Sequence, residues 1–337
     1  MTIFGQNTRH VKKINKEIIR QSLKSLGTAT NAEIARSANL SISTCTNLIG
    51  ELMEAKEVLI SDDIESDGGR PAKKYYYNPD FEYTLCIYAQ LSDSVKTLSY
   101  VVFDAMAAEV SRGSDQVGTM DANSFTELID DLMARYPRIS TIGIGIPGIA
   151  ADGVIAEADF SELEGVDLRQ ILKKRYGVFV RITNEMNYIV YGYNKNTGLK
   201  TADPVAYLSF AGGECPGCGI ALGDTVISGA RGIAGEVKYI FPLDQEGNTV
   251  KFNKDDNMVD AGCRIIKSLI GVIDPEVIVL SGSLIEKKHV AAILSRLQES
   301  VPDKYIPELI YRDNLEGDYI RGLLELTVSE KLAEEYS

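Results

Sequence analysis

The sequence predicts an α/β protein made of a small helical head followed by a larger body in which strands and helices alternate. Three observations predict this architecture. Apolar residues recur at helical spacing in the first 56 positions, a basic glycine hairpin follows at residues 66–75, and strand-like segments alternate with amphipathic helices after residue 79. With 337 residues, the chain is long enough for two or three folding units.

The composition is that of an ordinary soluble protein. Hydrophobic residues make up 45% of the chain and charged residues 25%, and no apolar run reaches the length of a membrane span. Five cysteines stand at irregular positions, and the first residues lack a secretory signal pattern. We therefore expect a cytoplasmic protein without a disulfide framework and without a membrane partner.

The net charge of −13 is unevenly spread along the chain. Residues 1–56 carry eight Lys and Arg against four acidic residues, whereas residues 81–337 carry 24 Lys and Arg against 38 acidic residues. A basic head on an acidic body is typical of a protein that touches nucleic acid at one end only.

Three helices are predicted in the head. Residues 7–26 place apolar side chains at spacings of three and four, and Gly27 ends this helix. Thr30 followed by Glu33 is typical of an N-cap with a carboxylate reaching back, which begins a short helix through Ala38. After a turn, Ser41 caps a further helix that runs to about residue 55.

This order indicates a helix-turn-helix, in which the start of the last helix can enter the major groove of DNA. The side chains predicted to reach base edges or phosphates are Ser43, Thr44, Thr46 and Asn47. Taken singly, each of these residues is more commonly a helix cap or a solvated side chain. The strands that follow favour the DNA-reading interpretation for the group.

Those strands, predicted at residues 58–61 and 74–77, flank the sequence Gly68-Gly69-Arg70-Pro71. Two glycines permit a tight hairpin tip and a close approach of the backbone to a partner. Arg70 carries a permanent charge suited to phosphates or a narrow minor groove. The head is therefore predicted to be a winged helix-turn-helix, with Gly69 and Arg70 as further contacts to double-stranded DNA.

The body begins after Asn78-Pro79. The predicted strands are residues 83–89, 97–103, 141–146 and 178–182, and the predicted helices are residues 124–136 and 318–336. The third strand runs into a glycine turn and the fourth ends at Asn184, so we expect a site at these strand ends.

Five motifs in this order resemble the ROK (repressor/open-reading-frame/kinase) family of sugar kinases and sugar-responsive repressors. They are Gly68-Gly69-Arg70-Pro71-Ala72, Gly143-Ile144-Gly145-Ile146-Pro147-Gly148, Asn184-Glu185-Met186-Asn187, Gly229-Ala230-Arg231-Gly232-Ile233-Ala234-Gly235-Glu236 and Asp274-Pro275-Glu276-Val277. The resemblance covers nearly the whole chain. It implies a two-lobed actin-like (ribonuclease-H-like ATPase) sugar kinase fold with a ligand cleft between the lobes.

On this basis, residues 1–78 are predicted to form the winged helix-turn-helix domain and residues 79–337 the kinase-like domain. The first lobe would comprise residues about 79–183 together with the C-terminal helix 318–337. The second lobe would comprise residues about 184–317.

The chain departs from the family's kinase pattern at its phosphate-binding turns. Residues 86–93 contain no glycine where family kinases have an acidic residue followed by two glycines and a threonine. Glu214 stands in the second glycine-rich turn, where it would repel a nucleotide, and Leu280-Ser281-Gly282-Ser283 replaces a purely glycine turn. Glu185 occupies the position of the family's catalytic Asp. We therefore expect no catalytic residues, no cofactor and no enzyme activity.

The family's zinc motif is also altered. Tyr239 occupies the position of a histidine, and residues 241–258 contain no cysteine. Cys215 and Cys218 have the spacing of half a zinc site, but two buried or redox-silent thiols are the favoured interpretation. We expect no metal site.

The residues that match sugar-contacting positions of the family are Asn184, Glu185 and Glu236. The resemblance thus implies a dimeric repressor that binds a palindromic DNA operator and responds to a sugar or sugar phosphate. Two alternatives stay open: a sugar kinase with an appended DNA-binding head that uses Glu185 as its base, and a dimeric DNA-binding protein that senses no ligand.

Overall fold

The structure, a computed structural model, describes residues 3–61, 72–92, 94–151, 153–158, 160–199, 202–211, 215–242 and 258–336. Side chains at residues 3–9 and at a few strand positions lie outside this description. In the described part of the chain, no helix is long and apolar enough to cross a membrane.

The head contains three helices and a small antiparallel sheet. Its elements are α1 (Ile3–Leu26), β1 (Thr28–Thr30), α2 (Asn31–Ser37), α3 (Ile42–Glu54), β2 (Val58–Ile60) and β3 (Lys74–Tyr77). The strands lie in the order β1-β3-β2. The sequence did not predict β1, because three residues are too few to show the alternation of apolar and polar side chains that is typical of a strand. Pairing with β3 makes them a strand. Helix α1 begins at Ile3, four residues before the predicted start.

The predicted caps of the head are confirmed. The Glu33 carboxylate accepts a hydrogen bond from the Thr30 backbone N–H at 2.7 Å, and the Glu33 N–H donates to the Thr30 hydroxyl. The Ser41 hydroxyl accepts from the Thr44 N–H at 3.1 Å. These bonds satisfy backbone donors that a helix start leaves unpaired, so the boundaries of α2 and α3 follow from local chemistry.

The apolar core of the head extends beyond residue 78. Ile19, Leu52 and Tyr77 are buried in it, and Ala105 belongs to the same buried cluster. Phe81 packs against it, and the Ala105 N–H donates to the Pro79 carbonyl at 2.9 Å. The start of the body therefore completes the core of the head.

The next segment forms the first body sheet and its helices. Its elements are β4 (Tyr83–Ser92), β5 (Val95–Phe103), β6 (Glu109–Val117), α4 (Ala122–Arg135), β7 (Ile139–Ile146), β8 (Gly148–Ala151), β9 (Val154–Ala158), α5 (Leu168–Tyr176) and β10 (Phe179–Asn184). Among the described residues the strand order is β10-β7-β4-β5-β6. β4, β7 and β10 run parallel, so their carboxyl ends meet at one edge of the sheet. The polar strand β6 was not predicted.

The remaining elements form a second sheet and the helices around it. They are α6 (Glu185–Thr197), β11 (Pro204–Ser209), β12 (Gly217–Leu222), β13 (Thr225–Val226), α7 (Met258–Ile273), β14 (Val277–Ser281), α8 (Lys287–Gln298), β15 (Glu308–Arg312) and α9 (Glu316–Tyr336). The described strands lie in the order β13-β12-β11-β14-β15.

Helices α6 and α9 join the two body sheets. One buried cluster contains Val101 of the first sheet, Tyr207 of the second, Ile189 of α6 and Leu323 of α9. The C-terminal helix was predicted to pack on the first lobe; it contacts β4, β7 and β10 there and also lies along α6. The shared core explains why the middle of α9, from Asp318 to Thr327, is largely buried, whereas its ends are more exposed.

Candidate functional site

One face of α3 is open to solvent and carries polar side chains. Ser43, Thr46, Asn47 and Gly50 are exposed and follow the spacing i, i+3, i+4 and i+7 of a single helix face. The opposite face, which includes Leu52, is buried in the head. The helix is therefore held by its inner face and presents its outer face from the first turn onward.

The four predicted α3 contacts differ in how firmly the head holds them. The Thr44 hydroxyl lies 2.8 Å from the Ser41 hydroxyl at the helix cap. Thr46 donates to the Ile42 carbonyl at 2.7 Å and accepts from the Asn31 amide of α2 at 2.6 Å. Thr44 and Thr46 therefore have structural roles at the helix-turn-helix, and Ser43 and Asn47 point to solvent.

The structure adds two α3 positions that sequence reasoning missed. Ile42 is 61% exposed at the first residue of α3, and a Cβ on Gly50 would meet open space. An exposed isoleucine can contact a thymine methyl, and a bare glycine lets a backbone approach closely. The signal in the sequence was an apolar residue directly after the Ser41 cap. Gly69 and Arg70 lie outside the described residues.

The positive charge of the head is partly neutralised by its own acids. Lys12 and Lys16 of α1 pair with Glu51 of α3 at 2.7 and 3.0 Å. Arg20 pairs with Glu57 at 2.6 Å beneath the helices. These bridges fasten α1 to α3 and to the residue before β2, and they neutralise three of the basic side chains of α1.

In the body, Asn184 ends β10 at the edge where the parallel strands finish. Its amide donates to the Gly148 carbonyl after β7, and its side-chain oxygen accepts from the Met186 N–H at 2.7 Å. Asn184 thus caps α6 and ties two strand ends together, which is the capping role that its sequence position already allowed.

Close glycine contacts bring the Glu185 and Glu236 segments to the same strand. A Cβ on Gly219 of β12 would overlap the Met186 carbonyl, and a Cβ on Gly235 would overlap the Cys218 carbonyl. The backbone next to each glutamate therefore touches residues 218–219. Both carboxylates are half-buried, and Glu236 lies 3.8 Å from the Lys238 ammonium. The structure thus places the predicted ligand residues around the start of β12.

The glycines of β7 have a packing role. A Cβ on Gly143 would overlap the Thr327 hydroxyl, and a Cβ on Gly145 would overlap the Tyr319 hydroxyl of α9. Burial, together with the charge of nearby Glu185, raises the pKa of Tyr319 well above its ordinary value. This part of the Gly143–Gly148 motif therefore seats α9 against the sheet.

The β4–β5 hairpin lies where the family resemblance expects a phosphate-binding turn. β4 and β5 stay paired up to Ser92 and Val95. Tyr88, four residues before the end of β4, packs at a tilt against Tyr319 of α9 with ring centroids 5.3 Å apart. These two buried rings join β4 to α9.

Of the remaining motif residues, Glu214 lies outside the described part of the chain. Tyr239, at the histidine position of the resemblance, is 64% exposed. Cys218 is buried, and burial followed by the charge of Glu236 raises the pKa of its thiol to about 12. A thiol with this pKa is a poor metal ligand and a poor nucleophile at neutral pH.

Two mixed sheets that share a central helix pair define the two-lobed actin-like fold, here preceded by a head of three helices and a small antiparallel sheet. The sequence profile described as "ROK family" matches residues 106–249. Residues 106–249 thus match the ROK family, in agreement with the resemblance. The match includes the Gly143 motif, Asn184 and the Glu236 segment.

Named relatives of similar sequence are repressors. The chain is 28% identical over 255 residues to the "Putative xylose repressor" of Caldicellulosiruptor sp. strain Rt8B.4, covering 73% of this chain and 61% of the relative. It is 24% identical over 242 residues to the "Xylose repressor" of Bacillus subtilis strain 168, covering 68% and 61%. The matched region thus spans 61% of the length of these relatives.

Solved structures agree on the fold. A "ROK family transcriptional regulator, homolog of E.coli MLC protein" superposes with a TM-score of 0.68 at 17% identity and covers 95% of this chain and 100% of its own. The ROK hexokinase of Thermus thermophilus gives a TM-score of 0.57 at 19% identity and covers 74% of this chain and 99% of its own. The regulator therefore covers more of this chain than the kinase does.

Proposed function

We propose that this protein is a DNA-binding transcriptional repressor whose body senses a sugar or sugar derivative without phosphorylating it. Residues 1–78 form the DNA-binding domain, and residues 79–337 form the sensing domain. Its lobes are residues about 79–183 with the C-terminal helix 318–337, and residues about 184–317. The names of the repressor relatives support this function.

The exposed face of α3 is the observation that carries the proposal. Ser43 and Asn47 are held outward on a rigid helix whose inner face is buried, which is the geometry that major-groove reading requires. Thr44, Thr46 and the hairpin residues Gly69 and Arg70 support the same surface. Ser43 and Asn47 read base edges, and Arg70 contacts the phosphate backbone or the minor groove.

The sensing site is the cluster of Asn184, Glu185 and Glu236 around the start of β12. Carboxylates and amides hold neighbouring hydroxyls of a sugar in pairs. All three residues belong to the second lobe, and Asn184 is hydrogen-bonded to Gly148 of the first lobe. A ligand at this junction favours one lobe angle over another, and it changes DNA affinity only by its preference between those states.

Phosphate transfer is disfavoured by the sequence of the β4–β5 hairpin. A nucleotide needs glycine-lined turns whose backbone N–H groups meet its phosphates, and residues 86–93 contain no glycine. The alternative, a sugar kinase that uses Glu185 as base, predicts ATP-dependent phosphorylation of a hexose or an amino sugar. We propose that the protein is not an enzyme and holds no metal.

The protein acts as a homodimer in the cytoplasm. Two heads on two half-sites of a palindromic operator match a two-fold axis, which fixes the spacing that ligand binding would alter. The second alternative, a dimer that binds DNA and senses nothing, predicts no sugar response.

The test is a gel shift with the DNA upstream of the reading frame, with and without a panel of sugars. Asn47→Ala should weaken binding of the operator about tenfold and relax its sequence preference. Asn123→Ala, an exposed asparagine on α4, is the matched control and should bind as the wild type does. Equal operator affinity of both variants would contradict the proposal for the head.

Sensing is tested separately by thermal unfolding of the full chain with each sugar. A ligand that binds the folded state must raise the melting temperature. Glu236→Gln and Asn184→Ala should reduce that shift. Operator binding with no response to any sugar would favour the ligand-independent alternative.

A further inference from the structure

A polar cavity of about 260 Å³ lies beside β10 on the flank of the first sheet. One wall is the edge of β10 from Phe179 to Thr183, and the opposite wall is the loop of residues 228–232 from the second half of the body. None of the three predicted sugar-contacting residues lines it. It is therefore a second space between the two halves of the body.

Arg181 is the central charge of this cavity. Its side chain is 15% exposed, and it pairs with Glu330 of α9 through one terminal nitrogen. Its Nε is buried and donates no hydrogen bond to any described residue. The guanidinium lies 5.7 Å from the centre of the buried Tyr188 ring, so α6 and α9 hold it in place, and the exposed part of the side chain is the part that can meet a ligand in the cavity.

Arg169 supplies a second guanidinium to the same cavity. It reaches Glu334 of α9 only at 3.8 Å, a loose pair at a partly exposed position. Gly153 packs against the aliphatic part of the Arg169 side chain, since a Cβ on Gly153 would overlap that side chain. The charged groups lining the cavity are two arginines and Glu330, which leaves an excess of positive charge.

We propose that this cavity binds a small polyhydroxylated compound that carries one anionic group, a phosphate or a carboxylate. The anionic group lies between Arg169 and Arg181, because a guanidinium fork matches the paired oxygens of either group. The hydroxyls meet Ser228 and the backbone edge of β10, which is the outer strand of its sheet among the described strands. The volume, below the usual 300–1,000 Å³ of drug-sized sites, suits one sugar ring.

Helix α9, which carries the Glu330 partner of Arg181, also contacts the head. Within the body, Lys331, next to Glu330, donates to Glu82 at 2.7 Å and to Ser140 at 3.0 Å. At the end of α9, Tyr336 donates to Glu17 of α1 at 3.3 Å. An anion that competes with Glu330 for Arg181 therefore disturbs the turns of α9 that hold the head.

This consequence for DNA rests on the proposed function, whereas the binding site itself does not. The first experiment therefore uses no DNA. Glucose 6-phosphate, glucuronate and glucose are titrated into the full chain by isothermal calorimetry and by thermal unfolding. We expect the two anionic probes to bind and to raise the melting temperature, and the stronger one identifies the anionic group.

The variants Arg181→Gln and Arg169→Gln should weaken anionic binding by about tenfold or more, since each loses a charge-assisted hydrogen bond. Arg175→Gln is the matched control, because Arg175 lies on the same helix as Arg169 and pairs with Asp130 outside the cavity. Arg169 is partly exposed, so its variant tests the site even if Arg181→Gln unfolds.

The proposal is overturned if neither anionic probe binds at millimolar concentration, or if all three variants bind the anionic probes alike. A gel shift without any ligand then tests the head separately. Anion binding without operator binding would retain this site and reject the proposed repressor; operator binding without anion binding would do the reverse.

Discussion

Gly192 of α6 and Gly322 of α9 lie with their backbones in contact. A Cβ on Gly192 would overlap the Asp318 carbonyl, and a Cβ on Gly322 would overlap the Tyr188 carbonyl. The two helices that join the body sheets therefore cross at a point where neither tolerates a side chain.

Alanine at this crossing should destabilise the body. Gly322→Ala or Gly192→Ala forces the helices apart, and overpacking of this kind costs about 3 kcal/mol. Urea unfolding measures the loss. Gly271→Ala is the control: Gly271 lies in helix α7 with open space around it, and alanine there should add up to about 1 kcal/mol of stability. Equal stability of Gly322→Ala and Gly271→Ala would contradict the close crossing.

Arg70→Ala should weaken DNA binding without changing which sequence is preferred. A lost phosphate contact reduces the affinity for all sequences and lowers the slope of log affinity against log salt by about one. Fluorescence anisotropy at several salt concentrations measures this slope. An unchanged slope together with altered base preference would mean that Arg70 reads bases instead.

The salt bridge between Glu82, just before β4, and Lys331 of α9 should make the free energy of unfolding depend on pH. Burial would raise the pKa of Glu82, but Lys331 at 2.7 Å and the Ser140 hydroxyl hold it below its ordinary value. A carboxyl with a lowered folded-state pKa stabilises the protein above its unfolded value of about 4.3, and that stability is lost as the pH falls through the folded pKa.

Unfolding free energies of the wild type and Glu82→Gln, measured from neutral pH downward, test this. The difference between the two proteins should be largest above about pH 5 and shrink below about pH 4. Glu164→Gln, at an exposed position, serves as the control and should track the wild type. A pH-independent difference would exclude the carboxylate of Glu82 as its source.

Restoring the kinase aspartate should not restore kinase activity. Glu185→Asp returns the carboxylate of the family pattern, but residues 86–93 still lack the glycines of the family's first phosphate turn. We expect no ATP-dependent phosphorylation of sugars by the wild type or by this variant in a coupled ADP assay. Turnover by Glu185→Asp above the wild type would show that a working nucleotide site remains.

Cys218 should react with a thiol reagent only after unfolding. Its pKa of about 12, raised by burial and by Glu236, leaves little thiolate at pH 8. Mass spectrometry after labelling with iodoacetamide, with and without urea, measures this protection. Rapid native labelling of Cys218 would reopen a redox role for the Cys215–Cys218 pair.

Local chemistry made much of the fold predictable from the sequence. The Thr30 and Ser41 caps fixed α2 and α3 closely, and the apolar period predicted β4, β7 and β10. The motifs led to the actin-like body, which the structural comparisons confirm. β6 escaped prediction because its side chains are mostly polar and exposed, so only pairing with β5 makes it a strand.

The candidate sites were less accessible from sequence. Asn184 and Thr46 were predicted as ligand and DNA contacts, and those roles stay predictions, while the structure shows both engaged in capping or cross-helix hydrogen bonds. The Arg181 cavity gave no local signal. Its walls come from a strand, two helices and a distant loop, and only tertiary packing brings them together.

Ala105 belongs to the apolar core of the head, and Phe81 packs against it. A fragment that ends at residue 78 lacks both side chains and would expose the apolar surface that they cover. Because the β4–β5 hairpin between Phe81 and Ala105 lies in the middle of the first body sheet, a chimeric regulator that transplants the head should carry that whole sheet with it. A fusion made directly after residue 78 would leave an apolar surface of the head exposed to solvent, and such a surface promotes aggregation.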